Sequence, residues 1–280
     1  MSTSTQDRAE RQREFLYQKE DFQRVKKLIY DRAGIHLRDN KMEMVYSRLS
    51  RRLRALKLNS IKVYLDQLEA ASEGEEWQSF INALTTNLTS FFREAHHFER
   101  LAEHVRQRGP EPLRVWCCAA STGEEPYTIA MTLLDALGPD FPFEVIATDV
   151  DTDALATARA GVYGMDRVKG LSPELLKRHF LKGKGRNAGK VRIKPVLARR
   201  VSFHPTNLLD SRWQVEDSVD VIFCRNVFIY FDTQTQGRIL QRFHRLLVPE
   251  GLLFAGHSES LMGASNLFRS LGKTVFRPLH

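Results

Sequence analysis

The chain has 280 residues, of which 42% are hydrophobic and 27% charged, and its formal net charge is +8. This balance is typical of a soluble globular protein with one large core and room for a smaller domain. No apolar run approaches the ~20 residues that cross a bilayer, and the polar amino terminus is no signal peptide, so we expect a cytoplasmic protein without membrane insertion.

The cysteines and histidines give no indication of a metal centre. Three cysteines, an odd number, lie in mostly apolar segments and fit a reducing cytoplasm rather than a disulfide framework. Neither a CxxC nor an HExxH spacing occurs, so we expect no metal. The neighbouring His96 and His97 are expected at the surface.

The first predicted unit is a helical amino-terminal domain over residues 20–84, preceded by a disordered lead-in over 1–19. The apolar residues that recur at helical spacing include Phe22, Val25, Ile29, Val45, Leu49 and Leu53. A polar stretch interrupts this pattern. Residues 85–109 then form a predicted linker that contains a helix around Glu94–Arg106.

The positive charge is concentrated in two regions. Residues 41–62 contain seven basic residues against one acid, and residues 163–203 contain twelve against two. In the first region, a helical wheel places Arg48, Arg51 and Arg54 away from the apolar face. This pattern favours an acidic partner, with an ordinary solvated face as the alternative. No nucleic-acid-binding motif accompanies either region, so we expect no nucleic-acid partner.

From residue 110 strands alternate with helices, which predicts an α/β domain with a doubly wound, mostly parallel sheet over 110–280. The predicted strands are Leu113–Ala119, Phe143–Thr148, Val219–Cys224, Gly251–Ala255 and Thr274–Arg277. The predicted helices are Tyr127–Leu137, Thr152–Arg159 and Thr235–Leu247. Between Gly161 and Pro205 the alternation is interrupted. There Lys190–Lys194 alternates basic and apolar residues like a half-buried strand, and Ala198–Phe203 could pair with it.

The turn after the first predicted strand, Ser121–Tyr127, carries acids instead of the glycines of a dinucleotide site. Ligands of doubly wound sheets lie beyond the carboxyl ends of the strands. Glu124 and Glu125 would repel a pyrophosphate but attract a cationic cofactor such as S-adenosyl-L-methionine, which has no phosphate. The alternative is a capping box in which Ser121 or Thr122 pairs with one of these acids.

Asp149 follows the second predicted strand and lies 26 residues after Gly123. An acid near this position holds the ribose hydroxyls in many nucleotide sites. Helix capping within Asp149–Thr152 is the alternative. Together with the acidic turn, Asp149 favours a nucleoside-type cofactor.

Six segments in series resemble the chemoreceptor glutamate methyltransferases of the CheR type. They are Thr85–Glu94, Ser121–Tyr127, Ala147–Asp151, Asn207–Leu209, Phe223–Asp232 and Gly256–Glu259. The resemblance covers about residues 20–278. It implies a helical amino-terminal domain, a linker and an S-adenosylmethionine-dependent methyltransferase domain over 110–280, with a small inserted β-subdomain at about 163–204.

The resemblance also implies a set of site residues. Those expected to bind the cofactor are Asn87, Thr89, Arg93, Glu124, Asp149, Asn207, Leu208, Arg225 and Asn226. Arg93 and Tyr230 would line the methyl-transfer centre, with packing in an aromatic cluster as the alternative for Tyr230. The implied reaction converts glutamate carboxylates into methyl esters and yields S-adenosyl-L-homocysteine. A glutamate is already ionised at neutral pH and needs no general base.

The implied partner is the cytoplasmic domain of a chemoreceptor, with its glutamate-bearing helices docked on Arg48, Arg51 and Arg54. In some members of the family the β-subdomain binds a carboxy-terminal receptor pentapeptide, which the loop Gly183–Gly189 leaves open here. Two other functions also stay open. One is a methyltransferase of the same fold acting on RNA or another protein, and the other is a non-enzymatic adaptor that senses the cofactor.

Overall fold

The computed structural model describes residues 13–215, 217–259 and 265–279. The chain divides into two compact units, Met1–Thr86 and Asn87–His280. Within the described ranges, no helix is long and apolar enough to cross a membrane.

The described part of the first unit is built from α-helices. They are α1 (Lys19–Ala33), α2 (Met42–Leu56), α3 (Ile61–Ala70) and α4 (Glu75–Leu84). Gly34 ends α1 in the left-handed conformation, and the Ser60 side chain caps α3 by accepting from the Val63 N–H. The fully buried side chains of the core include Val25, Ile29, Val45, Leu49, Leu53, Ile61 and Phe80. The helical spacing read from the sequence is therefore confirmed.

The predicted disordered lead-in is wrong for its last residues. Phe15 and Tyr17 are buried, at 7% and 2% exposure, and Arg13 donates to the Tyr17 carbonyl at 3.1 Å. Two aromatic rings thus join the core and order residues 13–19, because burying each ring removes a large apolar area from water. Residues 1–12 lie outside the described residues.

The strands of the second unit form two sheets. In chain order they are β1 (Leu113–Cys117), β2 (Phe143–Asp149), β3 (Val162–Gly164), β4 (Phe180–Lys182), β5 (Lys190–Ile193), β6 (Val201–Pro205), β7 (Val219–Cys224), β8 (Leu247–Ala255), β9 (Phe268–Ser270) and β10 (Val275–Pro278). The main sheet has the order β6-β2-β1-β7-β8-β10-β9. Its first five strands are parallel, and β10 runs antiparallel to both neighbours. The predicted mostly parallel sheet is confirmed.

The helices of the second unit cover this sheet. They are α5 (His96–Arg106), α6 (Glu124–Leu137), α7 (Thr152–Ala160), α8 (Pro173–His179), α9 (Pro195–Ala198) and α10 (Thr233–Leu246). The helix α5, placed in a linker by the sequence, buries Phe98, Leu101 and Val105 in the core of this unit. The chain passes from β1 to β2 on one side and later to β7 on the other. Sheets with such a reversal of strand order bind their ligands beyond the carboxyl ends of the strands on either side of it.

The small second sheet is antiparallel, with β5 between β3 and β4. Val191 and Ile193 are buried while Lys190 and Arg192 are exposed, which confirms the predicted alternation in β5. The predicted pairing with Ala198–Phe203 is wrong, because β6 pairs in parallel with β2 and buries Val201 and Phe203 against the main core. The inserted sheet therefore ends at β5 rather than near residue 204.

Candidate active site

The turn after β1 requires glycine at position 123. Gly123 has a φ of 98°, and a Cβ there would lie 2.7 Å from the Tyr163 hydroxyl and 2.8 Å from the Ala158 Cβ. The same Tyr163 hydroxyl donates to the Thr122 carbonyl at 2.8 Å. Glycine therefore lets β3 and α7 close tightly on the turn.

The capping box considered for this turn is not formed. The N-cap of α6 is Gly123, which has no side chain to accept a hydrogen bond. Thr122 instead donates from Oγ1 to Oε2 of Glu124 at 2.6 Å, and Ser121 adopts a left-handed φ of 47°. The Glu124 side chain is fully buried in the turn rather than reaching back to cap it.

Asp149 is a buried acid at the end of β2. Its Oδ2 accepts from the Ser121 N–H at 2.7 Å, and its Oδ1 accepts from the Asp151 N–H at 2.9 Å. Among the described residues it has no cationic partner, and burial raises its pKa to about 6 in spite of these hydrogen bonds. The capping of α7 belongs to Asp151, which accepts from the N–H of Asp153 and Ala154. Asp149 therefore remains an acceptor next to the turn.

Asn87 joins the turns that follow β1 and β2. Its Nδ2 donates to Oδ2 of Asp151 at 2.7 Å, and its Oδ1 accepts from the Ser121 hydroxyl at 3.0 Å. The start of the second unit is thus tied to the same cluster as Asp149.

Arg167 was not singled out in the sequence but lies in this cluster. Its Nε donates to Oε1 of Glu124 at 3.0 Å, and Nη2 donates to the Thr89 carbonyl at 3.2 Å. A buried carboxylate is thereby compensated by a half-exposed guanidinium. The contact brings Thr89 and Glu124 together from distant parts of the chain.

Arg225, at the end of β7, is a buried cation between two acids. It is 4% exposed, its Nη1 donates to Oε2 of Glu125 at 2.6 Å, and Nη2 lies 3.4 Å from Oε2 of Glu94. Nη2 also donates to the Arg93 carbonyl. Burial raises the pKa of Glu125. Burial acts in the same direction on Glu94, but Arg225 and other donors hold the pKa of Glu94 below its ordinary value.

Arg93 and Tyr230 both present polar groups at the surface of this region. Arg93 is half-buried and donates from Nη1 to the Leu88 carbonyl at 2.9 Å. Tyr230 ends a short 3₁₀ turn, Phe228–Tyr230, and is also half-buried. Its hydroxyl has no hydrogen-bond partner and its ring meets no other aromatic ring in the described part of the chain. The aromatic-cluster alternative for Tyr230 is therefore wrong.

Glu259 organises the segment that leads to Tyr230. Its buried carboxylate accepts from the backbone N–H of Asn226 at 2.8 Å, Val227 at 2.6 Å and Phe228 at 2.7 Å, and from the Gly256 N–H. Asn226 has a left-handed φ of 60°. One carboxylate thus holds four backbone donors from two loops.

Asn207 and Leu208 follow β6 beside Asp149. The Thr206 N–H donates to the Asp149 carbonyl at 2.9 Å, and Oδ1 of Asn207 accepts from the Leu209 N–H at 3.0 Å. Leu208 is buried in the apolar cluster around the tryptophans of β1 and of the loop after β6. Asn87, Asp149, Asn207 and Leu208 are therefore brought to one edge of the sheet.

The basic residues expected to dock a receptor lie in the first unit. Arg48 donates to the Leu84 carbonyl at 2.8 Å and so completes the end of α4. Arg54 pairs with Glu14 across a solvent-exposed contact. Arg51 is exposed and makes no ion pair or hydrogen bond with a described residue. Only part of the expected basic face is therefore unpaired.

The surface position expected for the two histidines is wrong for His97. It is fully buried, its Nε2 lies 2.9 Å from the Lys273 carbonyl, and burial lowers its pKa to about 4. Possible ligand atoms of Glu94, His96 and His97 all lie within 4.8 Å of one another. Arg225 already brings a positive charge to the Glu94 carboxylate at this point.

Comparison with known proteins covers nearly the whole chain. Residues 20–85 match the CheR methyltransferase all-α domain, and residues 87–277 match the CheR methyltransferase SAM-binding domain. Chemotaxis protein methyltransferase 2 of Pseudomonas aeruginosa is 51% identical over 99% of this chain and its own full length. The chemotaxis protein methyltransferases of Salmonella typhimurium and Escherichia coli are 55% and 53% identical, each over 91% of this chain and 88% and 89% of theirs. The chain therefore belongs to the CheR methyltransferase family, and its second unit contains an S-adenosylmethionine-binding domain.

Proposed function

We propose that this protein transfers a methyl group from S-adenosylmethionine to glutamate side chains of chemoreceptors, for adaptation in chemotaxis. The products are glutamate methyl esters and S-adenosylhomocysteine. The observation that carries the proposal is the combination of a buried acid and a partly exposed cation at the carboxyl edge of a methyltransferase sheet. The acid, Asp149, has no cationic partner in the described part of the chain, and the cation is Arg93. A receptor's cytoplasmic domain as substrate places the enzyme in the cytoplasm.

The acceptors of the site fit a cofactor with an ammonium, a sulfonium and ribose hydroxyls. A carboxylate offers about four acceptor positions, and Asp149 retains capacity beyond the backbone N–H groups that it already accepts. The residues that would hold the cofactor are Asn87, Thr89, Arg93, Glu124, Asp149, Asn207, Leu208, Arg225 and Asn226. The Arg225 guanidinium is engaged by Glu125 and the Arg93 carbonyl, so it contributes by fixing the position of Arg93.

The proposed reaction needs no general base from the protein. S-Adenosylmethionine supplies an electrophilic methyl group when bound. A glutamate with a pKa near ~4.3 is already an anion at neutral pH and attacks without a general base. Arg93 attracts the carboxylate, and the free Tyr230 hydroxyl donates to one of its oxygens and leaves the other to attack. Correct orientation can contribute about 7–11 kcal/mol to lowering the barrier in favourable cases.

Incubation with labelled S-adenosylmethionine and receptor cytoplasmic fragments tests this function. Label released as methanol in mild alkali identifies carboxyl methyl esters, whereas stable label indicates methylation of nitrogen in RNA or protein. Saturable cofactor binding without transfer to any fragment would instead favour a cofactor-sensing adaptor.

Tyr230→Phe is expected to lower kcat about tenfold or more while leaving the affinity for S-adenosylhomocysteine unchanged, because the hydroxyl acts on the reacting carboxylate alone. Single-turnover transfer at saturating receptor fragment measures the effect. Tyr30→Phe, which removes a hydroxyl from the first unit, is the control. Full kcat in the Tyr230 variant would exclude a role for its hydroxyl.

Asp149→Asn is expected to weaken S-adenosylhomocysteine binding about tenfold or more at pH 7.5, because a charge-assisted hydrogen bond contributes about 1.5–3 kcal/mol. In the parent, affinity should fall as the pH drops below about 6, where the raised pKa lets Asp149 take up a proton. The variant should show no such fall. Calorimetry between pH 5 and 8 measures both.

The same variant provides a second readout without cofactor. The pKa of Asp149 is raised to about 6 in the folded protein, whereas an aspartate in the unfolded chain has a pKa of about 4. Between these two pH values, Asp149 is therefore protonated in the folded state and ionised in the unfolded chain. Ionised Asp149 therefore destabilises the parent as the pH rises through this window. An asparagine at position 149 would turn its NH₂ toward one of the two backbone N–H donors at every pH, but it does not titrate. The melting temperature of the cofactor-free variant relative to the parent should therefore rise as the pH increases from 5 to 7.5. A difference that does not change with pH would mean that Asp149 does not titrate in this window.

We also propose that the receptor helices dock on the basic face of α2. Arg51 carries the largest share, since Arg48 holds backbone carbonyls and Arg54 is paired. Arg51→Glu is expected to raise KM for receptor about fivefold at low salt, with the effect shrinking as salt screens it. Lys19→Glu, on another exposed face of the same unit, is the control. Equal KM for Arg51→Glu and the parent at low salt would leave this face merely solvated.

We further propose that the β-subdomain binds a carboxy-terminal receptor pentapeptide. Within the residues that the structure describes, its outer strands β3 and β4 have one unpaired edge each, and they expose Val162 and Leu181, at 37% and 47%. An added strand would gain backbone hydrogen bonds, and the exposed basic residues of β5 suit a terminal carboxylate. Titration with receptor tail peptides tests this. Binding should disappear when Gly183–Gly189 is replaced by a two-residue turn, and intact methylation without any tail binding would exclude it.

A further inference from the structure

Two residues next to Arg93 or Tyr230 have exposed apolar side chains. Leu88 is 78% exposed and Ile229 is 45% exposed. The Arg93 guanidinium donates to the Leu88 carbonyl at 2.9 Å, and Ile229 directly precedes Tyr230 in the short 3₁₀ turn. Leu88 is thus next to one residue of the proposed methyl-transfer centre, and Ile229 is next to the other.

The exposure of Leu88 is imposed by its neighbours. On one side, Asn87 donates to Asp151 at 2.7 Å. On the other, the Thr89 carbonyl accepts from Arg167 at 3.2 Å. The Asn87 side chain and the Thr89 backbone are thus anchored on either side of Leu88, whose own side chain is exposed. The Leu88 side chain is therefore left in water, so its burial by a partner would be favourable.

Ile229 is held outward in the same way. The preceding Phe228 is buried, its N–H donates to Glu259 at 2.7 Å, and its carbonyl accepts from Gln236 at 2.9 Å. The short 3₁₀ turn cannot bury Phe228 and Ile229 on the same side. Ile229 therefore faces solvent next to Tyr230.

We propose that Leu88 and Ile229 form an apolar rim that selects the substrate helix by contacting apolar side chains one helical turn from the target glutamate. This inference rests on the proposed function. Its occupant is an amphipathic receptor helix, since residues three or four apart share a helix face. Arg93 supplies the charge for the glutamate, and the rim supplies the apolar contact beside it. The site thus matches a helix face that is acidic at one position and apolar a turn away.

Serine substitutions test the rim. Leu88→Ser and Ile229→Ser should each raise KM for a receptor fragment about fivefold or more, because each removes a side chain buried only in the complex. The affinity for S-adenosylhomocysteine and kcat at saturating fragment should stay within about twofold of the parent. Leu88→Met keeps the apolar volume and should keep the parent KM. Val196→Ser, at a 38% exposed side chain on α9, is the matched control.

A double-mutant cycle identifies the contact on the receptor. Mass spectrometry locates the methylated glutamate, and apolar residues three or four positions from it are replaced by serine in the fragment. This should raise KM for the parent but add little to the effect of Leu88→Ser or Ile229→Ser. Unchanged KM in both enzyme variants, or fully additive effects in the cycle, would overturn the rim alone. A parent that methylates no receptor fragment would overturn the proposed function as well.

Discussion

Arg225→Met is expected to lower the free energy of unfolding by about 3–5 kcal/mol, because it leaves buried acids without their cation. Arg225 is 4% exposed and contacts Glu125 at 2.6 Å and Glu94 at 3.4 Å. Methionine preserves much of the apolar volume, so the loss reflects charge rather than a cavity. Urea denaturation at pH 7.5 measures it.

Three comparisons test whether the loss of stability in Arg225→Met comes from the buried charge network. The deficit should shrink at lower pH, because burial already raises the pKa of Glu125 and the orphaned carboxyl takes up a proton more readily. Adding Glu125→Gln to Arg225→Met should restore part of the stability. Arg100→Met, which removes an exposed partner of Glu103, should cost less than about 1 kcal/mol. Equal losses for Arg225→Met and Arg100→Met would contradict a special role for the buried network.

Glu259→Gln is expected to reduce kcat/KM about 100-fold, because a displacement near 1 Å at a reacting centre can have that effect. The carboxylate accepts four backbone N–H groups, and an amide would turn its own NH₂ toward two of them. The left-handed Asn226 and the turn to Tyr230 would then shift. We therefore expect Glu259 to act as a positioning residue, through the loop that leads to Tyr230.

Three measurements distinguish a displaced loop from a loss of folding in Glu259→Gln. Calorimetry with S-adenosylhomocysteine, kcat at saturating receptor and urea denaturation are compared in one preparation. Glu250→Gln, at an exposed glutamate that pairs with Arg277, is the control and should match the parent. A Glu259→Gln variant with normal kcat/KM, or one that loses activity only in proportion to its unfolded fraction, would contradict the positioning role.

Local patterns predicted most of the fold. The strands β1, β2 and β7 and the helices α6, α7 and α10 begin and end within a few residues of their expected bounds. Continuous apolar runs marked the central strands, because a parallel strand is buried on both faces. The pairing of β6 could not be read in this way. Alternation shows that a strand has a buried face, but the choice between the small sheet and β2 depends on which core lies nearby.

The candidate site was only partly readable from the sequence. Resemblance named nine residues around the cofactor, and their roles remain proposals. It did not indicate that Arg167 meets Glu124 or that Glu259 meets the loop after β7, since these partners lie 43 and 31–33 residues apart. Hydrogen bonds and ion pairs at such separations leave no periodic trace in the sequence.

The sequence by itself determined the order and type of the elements, the acidic turn after β1 and the concentration of positive charge on α2. Each of these depends on side chains close together in the chain, where spacing alone decides burial and charge. Only the tertiary structure decided which charges remain available. Arg48 and Arg54 bind partners in the first unit, and Arg225 lies between two acids. Asp149 has no cationic partner among the described residues. Those outcomes depend on distances in space and on desolvation, because the fold decides which opposite charge comes within a few ångströms of a buried group.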